Sequence, residues 1–264
     1  MTVASDPRVR GGSSAWGPLA WPVALGVVGV VLWQAVIALG FVDEYVLPSP
    51  AAIVVEFVAF LPAIAEGAAV TGGNAAVGLL GGSVVAIALA AVAASRRLID
   101  GMLAPLVAAL AVIPIVALAP VLNTMFGADS QTGRQMIAGI ATFTPVFLGT
   151  LRGLRQTAPV HRDLMRAYAA SGWQSFRVVT LPTATPHVVT GIRIASSLAV
   201  ISALVAEYFG GPRGGLGGLI STYAAQSAYA RSWAFVLGAI LLGVLFYAVT
   251  SGVERVANAR LGHR

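Results

Sequence analysis

Long apolar runs alternate with short polar segments along most of this chain. Six of these runs are predicted to be membrane spans, each near the ~20 residues that a helix needs to cross the hydrocarbon core. They cover residues 19–40, 68–94, 102–122, 135–151, 187–208 and 233–253. A soluble β-rich core would show short strands at regular spacing, and these runs are too long for strands. The pattern therefore predicts an all-α, polytopic membrane protein with six transmembrane helices.

Two apolar stretches need a separate interpretation. Residues 51–66 form an apolar run of only 16 residues that contains Glu56 and Pro62, and we predict a helix on the outer surface that lies against the bundle. The first run has a basic flank and the small-residue triplet 38–40, both features of a cleaved signal peptide. Because its apolar part is long for a signal peptide, we expect a retained helix.

Prolines interrupt the third run. Pro105, Pro114 and Pro120 each remove a backbone donor and tend to free a carbonyl one turn earlier. Lipid cannot satisfy such a carbonyl, whereas a neighbouring helix or a watery cavity can. Two interpretations stay open: this span faces the bundle interior, or the prolines only produce packing kinks. The glycines of the second run predict close helix packing.

Composition supports the membrane assignment and excludes an ordinary P-loop ATPase. Hydrophobic residues make up 58% and charged residues 10% of the 264 residues, with a mean hydropathy of +0.86, whereas soluble domains carry about 25% charge. There is no cysteine, hence no disulfide and no Cys-ligated metal. All 16 basic residues are arginine, so the lysine that a Walker A loop needs is missing. Any ATP chemistry must come from a partner protein.

Other catalytic patterns are missing as well. His161, His187 and His263 are too scattered for a metal site, and no nucleophile is paired with a base. The glycine-rich run 210–218 has no lysine and follows a membrane helix, so we interpret it as a flexible outer loop rather than a phosphate loop. We predict no enzymatic activity, no metal or cofactor bound by this chain and no nucleic-acid partner.

The arginines also predict the orientation of the spans. Twelve of them lie on one side: before span one, between spans two and three and spans four and five, and after span six. Arg134, Arg213 and Arg231 lie on the other side, and Arg193 lies within span five. By the positive-inside rule, both termini and the segment 152–182 face the cytoplasm.

The polar segment 152–182 contains two predicted helical turns. Pro159 suits the first turn of a helix and the pair 171–172 suits its end, which predicts a short amphipathic helix near 160–170. A second short turn is predicted over 173–179. An arginine-rich segment of this kind can also be only a topology signal, with its arginines on lipid headgroups.

Two prolines follow this segment. Pro182 and Pro186 are expected to redirect the chain into the fifth span, because the residue before a proline is biased away from helical backbone angles. The two short helices would then lie across the cytoplasmic face.

The order of Asp163, Ala169, Val179 and Leu181-Pro182 has a recognisable spacing. It resembles the cytoplasmic loop of the permease subunits of bacterial ATP-binding cassette importers, with the pattern Glu-Ala-Ala, three residues, Gly, nine residues, Ile, one residue, Leu-Pro. In this alignment Asp163 takes the Glu position, Ala169 the Gly position and Val179 the Ile position.

Besides the conservative Val179, the loop departs from that pattern at four positions. Asp163 replaces Glu, Leu164 and Met165 replace the two Ala, and Ala169 replaces Gly. Asp163 keeps a carboxylate near a helix start, where the helix dipole favours it, so we expect the helix to form. The replaced Ala and Gly positions are expected to change how closely the loop docks on its partner.

The resemblance extends over about residues 20–255. Outside the loop it includes Leu47-Pro48-Ser49-Pro50, Ser95-Arg96-Arg97, the proline-rich third run, Gly191-Ile192-Arg193-Ile194 and Val205-Ala206-Glu207. These features are most similar to the branch that serves nitrate, sulfonates, taurine and thiamine-pyrimidine precursors. The implied organisation is a cytoplasmic tail at 1–18, one transmembrane permease domain at 19–255 and a cytoplasmic tail at 256–264.

The resemblance implies an assembly in the bilayer of the bacterial inner membrane. Two permeases pair, either two copies of this chain or this chain and a sister permease. A dimer of cytoplasmic ATPases binds the ATP, and an extracytoplasmic binding protein delivers the solute. Each loop lies in an ATPase groove as a coupling helix, and ATP-driven closure switches the access of the cavity. The residues implied to make these contacts are Asp163, Arg166, Ala167, Ala169, Gln174 and Phe176.

Candidates for the pathway or its gate are polar or helix-breaking residues within the spans. They are Asn74, Pro114, Asn123, Thr144, Glu207 and Tyr208. Intramembrane charge is costly and often functional, but Glu207 and Arg193 both lie near enough to the ends of their span to snorkel. The outer gate is the role considered for Glu207 with Tyr208.

The few uncharged candidates suit a small polar or flat heterocyclic solute. The resemblance favours a thiamine-pyrimidine-like vitamin precursor over sulfonate, taurine or nitrate. The alternative class is an ATP-independent secondary transporter or a membrane scaffold. A secondary transporter should show repeated halves with broken helices, and the sequence pattern predicts neither.

Overall fold

The computed structural model describes residues 17–127, 130–210 and 214–261, and within these ranges the backbone is helical and contains no strand. The helices are α1 (Gly17–Ala38), α2 (Pro50–Ala59), α3 (Leu61–Ser95), α4 (Arg97–Val112), α5 (Ile115–Phe126), α6 (Thr132–Arg155), α7 (Pro159–Ala167), α8 (Gly172–Ser175), α9 (Leu181–Phe209), α10 (Leu216–Ala225) and α11 (Tyr229–Arg260). A π-helical turn, Phe176–Thr180, joins α8 to α9. The predicted all-α class is confirmed.

Five helical segments of the described chain are long and apolar enough to cross a membrane, and a bent pair adds a sixth. They are α1, α3, α6, the continuous segment Gly172–Phe209 and α11, while α4 and α5 form the pair and meet at 94°. Counting the pair as one span gives the predicted six. The third run is therefore not one straight helix. The chain breaks at Ile113, which adopts extended angles (φ −61°, ψ 124°), because the following Pro114 disfavours helical angles there.

The core lies where α3, α6 and α9 pack, and glycines bring α3 and α6 together. A Cβ added at Gly78 would lie 2.4 Å from the Cβ of Ala138, and one added at Gly82 would lie 2.2 Å from the Oγ1 of Thr142. The two glycines are four residues apart and so share one face of α3. Small residues at this spacing let two backbones approach closely, which confirms the packing predicted for the second span.

The contact between α6 and α9 has the same basis. A Cβ added at Gly149 would lie 2.8 Å from the carbonyl oxygen of His187, and one added at Gly153 would lie 2.9 Å from that of Ala184. Gly191 lies on the α9 side of the contact. Both helices therefore pack backbone against backbone along much of their length.

The surface helix predicted over 51–66 is shorter than expected. It corresponds to α2, which Ser49 caps by accepting a hydrogen bond from the backbone N–H of Ala52 (3.2 Å). α2 does lie against the bundle, because Glu56 accepts a hydrogen bond from Nε of Arg231 (2.8 Å). The remainder of the predicted segment belongs to α3, since Pro62 occupies the first turn of a helix, where its missing N–H costs nothing.

Pro182 and Pro186 do not redirect the chain, and that prediction is wrong. The helix runs on through both prolines as one segment of 38 residues, Gly172–Phe209. The π turn shifts the backbone hydrogen bonds before Pro182, and the hydroxyl of Thr183 donates to the carbonyl of Val179 (2.7 Å). Local π geometry and Ser/Thr hydroxyls are known ways to satisfy carbonyls that proline frees.

Segments predicted on the same side of the membrane meet at the same end of the bundle. At one end, Asp100 in the first turn of α4 pairs with Arg155 at the end of α6 (2.7 Å). At the other end, Glu56 of α2 pairs with Arg231 at the start of α11 (2.8 Å). This arrangement is what a single six-span topology requires.

Candidate functional site

The segment 152–182 presents an exposed helical surface at one end of the bundle. α7 begins at Pro159, and none of its residues is buried. Aromatic side chains in this segment are uncovered, with Tyr168 75% and Trp173 67% exposed. Clustered, uncovered apolar side chains are typical of a surface that binds a partner protein or a membrane.

Asp163 and Arg166, two of the predicted coupling residues, lie together on α7. Nη1 of Arg166 is 3.3 Å from Oδ1 of Asp163, one turn away, and both side chains are largely exposed. Such a pair adds little to stability, so both charges remain free to contact a partner. Ala167 is the last residue of the helix and is also exposed.

Ala169 closes α7 in a left-handed conformation, with φ +48°. The N–H of Ala169 donates to the carbonyl of Arg166 (2.9 Å), and that of Ala170 donates to the carbonyl of Met165 (3.0 Å). These two bonds form a Schellman motif, in which the left-handed residue is usually glycine. The family's loop pattern has glycine at this position, and the left-handed backbone angle found here gives a physical reason for that glycine.

Gln174 and Phe176 have contacts within the chain. The Oε1 of Gln174 accepts from the N–H of Ser171 (2.8 Å), and the N–H of Gln174 donates to Oγ of Ser171 (3.3 Å), so the two residues form a capping box for α8. The ring of Phe176 stacks on Trp173 at a centroid distance of 5.7 Å. Gln174 and Phe176 thus stabilise the conformation of α8 and of the turn that follows it.

Glu207 is buried at the opposite end of the bundle. Its carboxylate accepts hydrogen bonds from Oγ1 of Thr71 (2.7 Å), Nδ2 of Asn74 (3.1 Å) and the N–H of Gly217 (3.2 Å). The N–H of Leu216 in turn donates to Oγ1 of Thr71 (2.9 Å). Because the first N–H groups of a helix lack internal partners and favour negative charge, Glu207 and Thr71 cap α10.

The polar cluster around Glu207 extends to the first turn of α6. Oε1 of Gln131 accepts from both Nδ2 of Asn74 and Nη1 of Arg134 (2.8 Å each), and Nε2 of Gln135 donates to Oδ1 of Asn74 (3.3 Å). Arg134, which the arginine count placed on the outer side, is fully buried here. A buried carboxylate and a buried guanidinium are thus linked through two amides, which lowers the cost of burying each charge.

Thr71, Gln131 and Arg134 were not predicted to be parts of this cluster. The one signal for Gln131 and Arg134 was the polar spacing 131, 134 and 135, which places three polar side chains near one face at the start of an apolar run. The cluster also explains why residue 215 is a glycine, because a Cβ there would lie only 2.2 Å from Oε2 of Glu207.

Asn123 and Tyr208 lie near this cluster but have different environments. Asn123 is buried and its Nδ2 donates to the carbonyl of Ala206 (3.2 Å), which links α5 to α9. A Cβ at Gly210 would lie 2.0 Å from the same nitrogen. Tyr208 is 39% exposed, and its ring contacts Phe209 edge to face. The structure therefore does not bring Tyr208 into the hydrogen-bonded set that holds Glu207.

Pro114 and Thr144 belong to a separate region, at the break between α4 and α5. Pro114 is the residue before α5. A cavity of about 240 Å³ lies beside the break and is lined by Ile113, Ile115, Thr144, Pro145 and Leu198, among others. The helix break and one polar side chain thus face a small, mainly apolar cavity between α4, α5, α6 and α9.

Arg193 contacts polar side chains of a neighbouring helix. Its Nε lies 2.8 Å from Oε2 of Glu254, and its Nη1 donates to the hydroxyl of Tyr247 (3.0 Å). The hydroxyl of Thr190 donates to the other carboxylate oxygen of Glu254. These contacts join α9 to α11. Among the residues that the structure describes, no group of His, Asp and Glu has the arrangement of a metal site.

Comparison with known proteins identifies a transport family. The model of the binding-protein-dependent transport system inner membrane component matches residues 78–263. The riboflavin transport system permease of Chloroflexus aurantiacus is 32% identical over 222 residues, which cover 82% of this chain and 81% of the relative. The formylaminopyrimidine transport permease of Halalkalibacterium halodurans is 29% identical over 243 residues, 89% of this chain and 93% of the relative. A putative aliphatic sulfonates transport permease of Bacillus subtilis is 27% identical over 192 residues, with coverages of 72% and 69%.

The fold agrees with this family. A chain in the crystal structure of an amino acid ABC transporter with histidines has a TM-score of 0.63 at 13% identity, covering 75% of this chain and 95% of that chain. The resemblance noted in the sequence, including its sulfonate and thiamine-precursor branch, is confirmed by the relatives above. This chain belongs to the binding-protein-dependent transport system inner membrane component family, the membrane-spanning permease subunits of ATP-binding cassette importers.

Proposed function

We propose that the segment 152–182 of this permease binds a separate ATPase subunit, whose ATP hydrolysis drives import of a solute delivered by a binding protein. The main support is the α7–α8 surface. It is exposed, carries uncovered aromatic rings and follows the spacing of the family's coupling loop. The chain itself has no Walker A lysine, which agrees with ATP hydrolysis by a partner.

The continuous helix from α8 to α9 offers a direct mechanical link across the membrane. Its 38 residues span about 57 Å at 1.5 Å per residue, well beyond the ~30 Å hydrocarbon core. One end carries Gln174 and Phe176 of the proposed ATPase contact, and the other carries Glu207. A displacement of α8 by the ATPase would therefore shift the hydrogen-bonded cluster at the far end.

The proposed orientation follows the arginines. Both termini and the segment 152–182 lie in the cytoplasm of a bacterial cell with the permease in its inner membrane, so the Glu207 cluster lies at the outer end. The chain divides into a tail at 1–18, a permease domain at 19–255 and a tail at 256–264. Its partner in the membrane is a second copy or a sister permease.

We assign the pathway to the cavity at the break between α4 and α5. Thr144 supplies a polar group there, and Pro114 fixes the break that opens the space. Asn74, Asn123 and Glu207 instead anchor the outer ends of the helices, because their polar atoms contact other parts of the same chain. In this assignment they position the gate and do not contact the solute.

For the solute we propose a flat heterocycle of the vitamin-precursor type. Two relatives reported above are named for the transport of riboflavin and formylaminopyrimidine, and each of these compounds contains a flat heteroaromatic ring. The mainly apolar cavity with few polar groups suits such a ring. Sulfonate, taurine and nitrate are the second candidates, because other relatives are sulfonate and taurine permeases.

The test is to purify the tagged permease from native membranes and identify its partners. An ATPase and a binding protein should copurify, and the binding protein should bind riboflavin or formylaminopyrimidine more tightly than taurine or an alkanesulfonate. The reverse preference would move the solute to the sulfonate class. Uptake that continues without ATP and without an ATPase partner would favour a secondary transporter. Secondary transporters contain broken helices, and the break between α4 and α5 removes one of the arguments against that class.

A further inference from the structure

The helix α4 is weakly held by the rest of its own chain. Among its described side chains, Val107 alone is buried, whereas Leu98, Met102 and Val112 are largely exposed. An apolar groove of about 530 Å³ separates its middle from α3 and α6, with Leu106 and Leu110 on the α4 side. α4 can therefore change its position without breaking a tightly packed core.

One ion pair links the start of α4 to the end of α6. Oδ1 of Asp100 lies 2.7 Å from Nη2 of Arg155, with side-chain exposures of 31% and 48%. Among the side chains that the structure describes, this ion pair is the one polar contact between α4 and another helix. Each charge also suits its own helix, since Asp100 lies in a first turn and Arg155 in a last turn. An experiment must therefore separate the effect of the ion pair from the effect of each charge on its own helix dipole.

The position of Arg155 gives the pair a role beyond local stability. Only residues 156–158 separate Arg155 from α7, and the far end of α4 is the break beside the cavity that Thr144 lines. We propose that Asp100 and Arg155 are positioning residues that transmit movement of α7 to α4 and so to the cavity. This inference rests on the proposed function, because it needs an ATPase that moves α7.

The pair can be tested in a folded protein. A partly exposed ion pair contributes little to stability, so neutral variants should fold. The chain has no cysteine, so Val112→Cys at the end of α4 can carry one environment-sensitive fluorophore, attached before assembly with the ATPase. The readout is the emission shift between the nucleotide-free complex and the complex trapped with ATP and vanadate.

The variants separate the ion pair from the two helix dipoles. Asp100→Asn and Arg155→Gln should each reduce the emission shift roughly fivefold, the lower range of coupling between sites. The exchanged pair Asp100→Arg with Arg155→Asp should restore most of it, although each charge then opposes its helix dipole. Arg152→Gln, which removes an exposed charge three residues away on α6, should behave as wild type.

Each other outcome decides against one claim. Unchanged shifts in the single variants, or a loss that the exchanged pair does not restore, would overturn the role of the ion pair. An assembled, ATP-hydrolysing complex with no shift at Val112→Cys in the otherwise wild-type chain would also overturn it, while the proposed function would stand. Failure of the permease to bind any ATPase would instead contradict the proposed function itself.

Discussion

At the scale of single residues, Ala169 shows how a backbone angle can account for a motif. Left-handed angles bring Cβ close to the neighbouring carbonyl and cost roughly 1–2 kcal/mol for residues other than glycine. Ala169 adopts φ +48° because α7 must end there before the chain turns into α8. The alanine found here therefore carries a small strain that the usual glycine would not.

Ala169→Gly should stabilise the protein by about 1 kcal/mol, because relief of the left-handed strain exceeds the added entropy of the unfolded chain. The control is Ala170→Gly at the adjacent position, which lacks a positive φ and should lose stability instead. Denaturant titration of the purified permease in detergent measures both. Equal destabilisation by the two substitutions would contradict the assignment of the Schellman motif.

Glu207 illustrates why a charge inside a membrane protein need not line a pathway. The carboxylate has three donors within the same chain, and Arg134 lies in the same cluster. Each of these donors is buried and would lose its partner if the carboxylate were absent. We therefore expect Glu207 to matter first for stability.

Glu207→Gln should destabilise the permease by about 3 kcal/mol, because an amide replaces a charged acceptor and leaves at least one buried donor unsatisfied. Glu66→Gln is the matched control, since Glu66 is exposed on α3 and its change should cost less than about 0.5 kcal/mol. Thermal unfolding in detergent compares the two. A Glu207→Gln protein as stable as the control would show that the cluster is not held as described.

At the scale of elements, contact between helices depends on glycine positions that the sequence only partly distinguishes. Span two contains several glycines, but only some face another helix. Gly78 and Gly82 lie against α6, whereas a Cβ at Gly73 or Gly81 would have no atom within 4 Å. The difference is a matter of helix face, which periodicity alone does not reveal in a helix that is apolar on all sides.

Gly78→Val should prevent close approach of α3 and α6, because even the Cβ would lie within 2.8 Å of the carbonyl oxygen of Gln135. We expect loss of most folded protein, measured as the monodisperse fraction in size-exclusion chromatography. Gly81→Ala on the same helix should be neutral or slightly stabilising, since alanine has the higher helix propensity and open space surrounds it. Equal yields of the two variants would contradict the packing described for α3 and α6.

The existence of the helices was predictable, because a long apolar run in lipid can adopt hardly any structure other than a helix. The places where helices break were not. Three prolines punctuate the third run, yet Pro105 and Pro120 lie inside α4 and α5, and only Pro114 follows a break. Pro182 and Pro186 also lie inside a helix. Tertiary contacts and nearby hydroxyls decide which freed carbonyl is tolerated, and sequence spacing does not contain that information.

The candidate site also has one part that could be predicted from the sequence and one part that could not. The surface of α7 and α8 follows from a local spacing between 159 and 182, and local spacings can be recognised in one sequence. The cluster around Glu207 combines Thr71, Gln131 and Arg134 from segments far apart in the chain. Such long-range contacts depend on the packing of three helices. The polar spacing 131, 134 and 135 marks one face of α6, but nothing in the sequence pairs that face with Thr71 or Glu207.

At the scale of the whole molecule, the two ends of the bundle differ in character. One end carries α7, an exposed surface without buried residues, and the other carries a buried cluster in which most polar groups have partners. The helix from Gly172 to Phe209 connects them. An exposed surface at one end, joined by a single helix to a hydrogen-bonded cluster at the other, is an arrangement through which binding on one side can bias access on the other.

The most direct test of this account is the ATP hydrolysis of the complete complex in proteoliposomes, with and without loaded binding protein. Asp163→Arg and Arg166→Glu should each lower the stimulation by the binding protein severalfold, roughly the 5-fold or more expected of coupled sites. Combining the two substitutions should not restore it, because the charges serve the ATPase rather than each other. Stimulation that stays at the wild-type level in all three variants would contradict the claim that α7 is the contact through which ATP hydrolysis drives this permease.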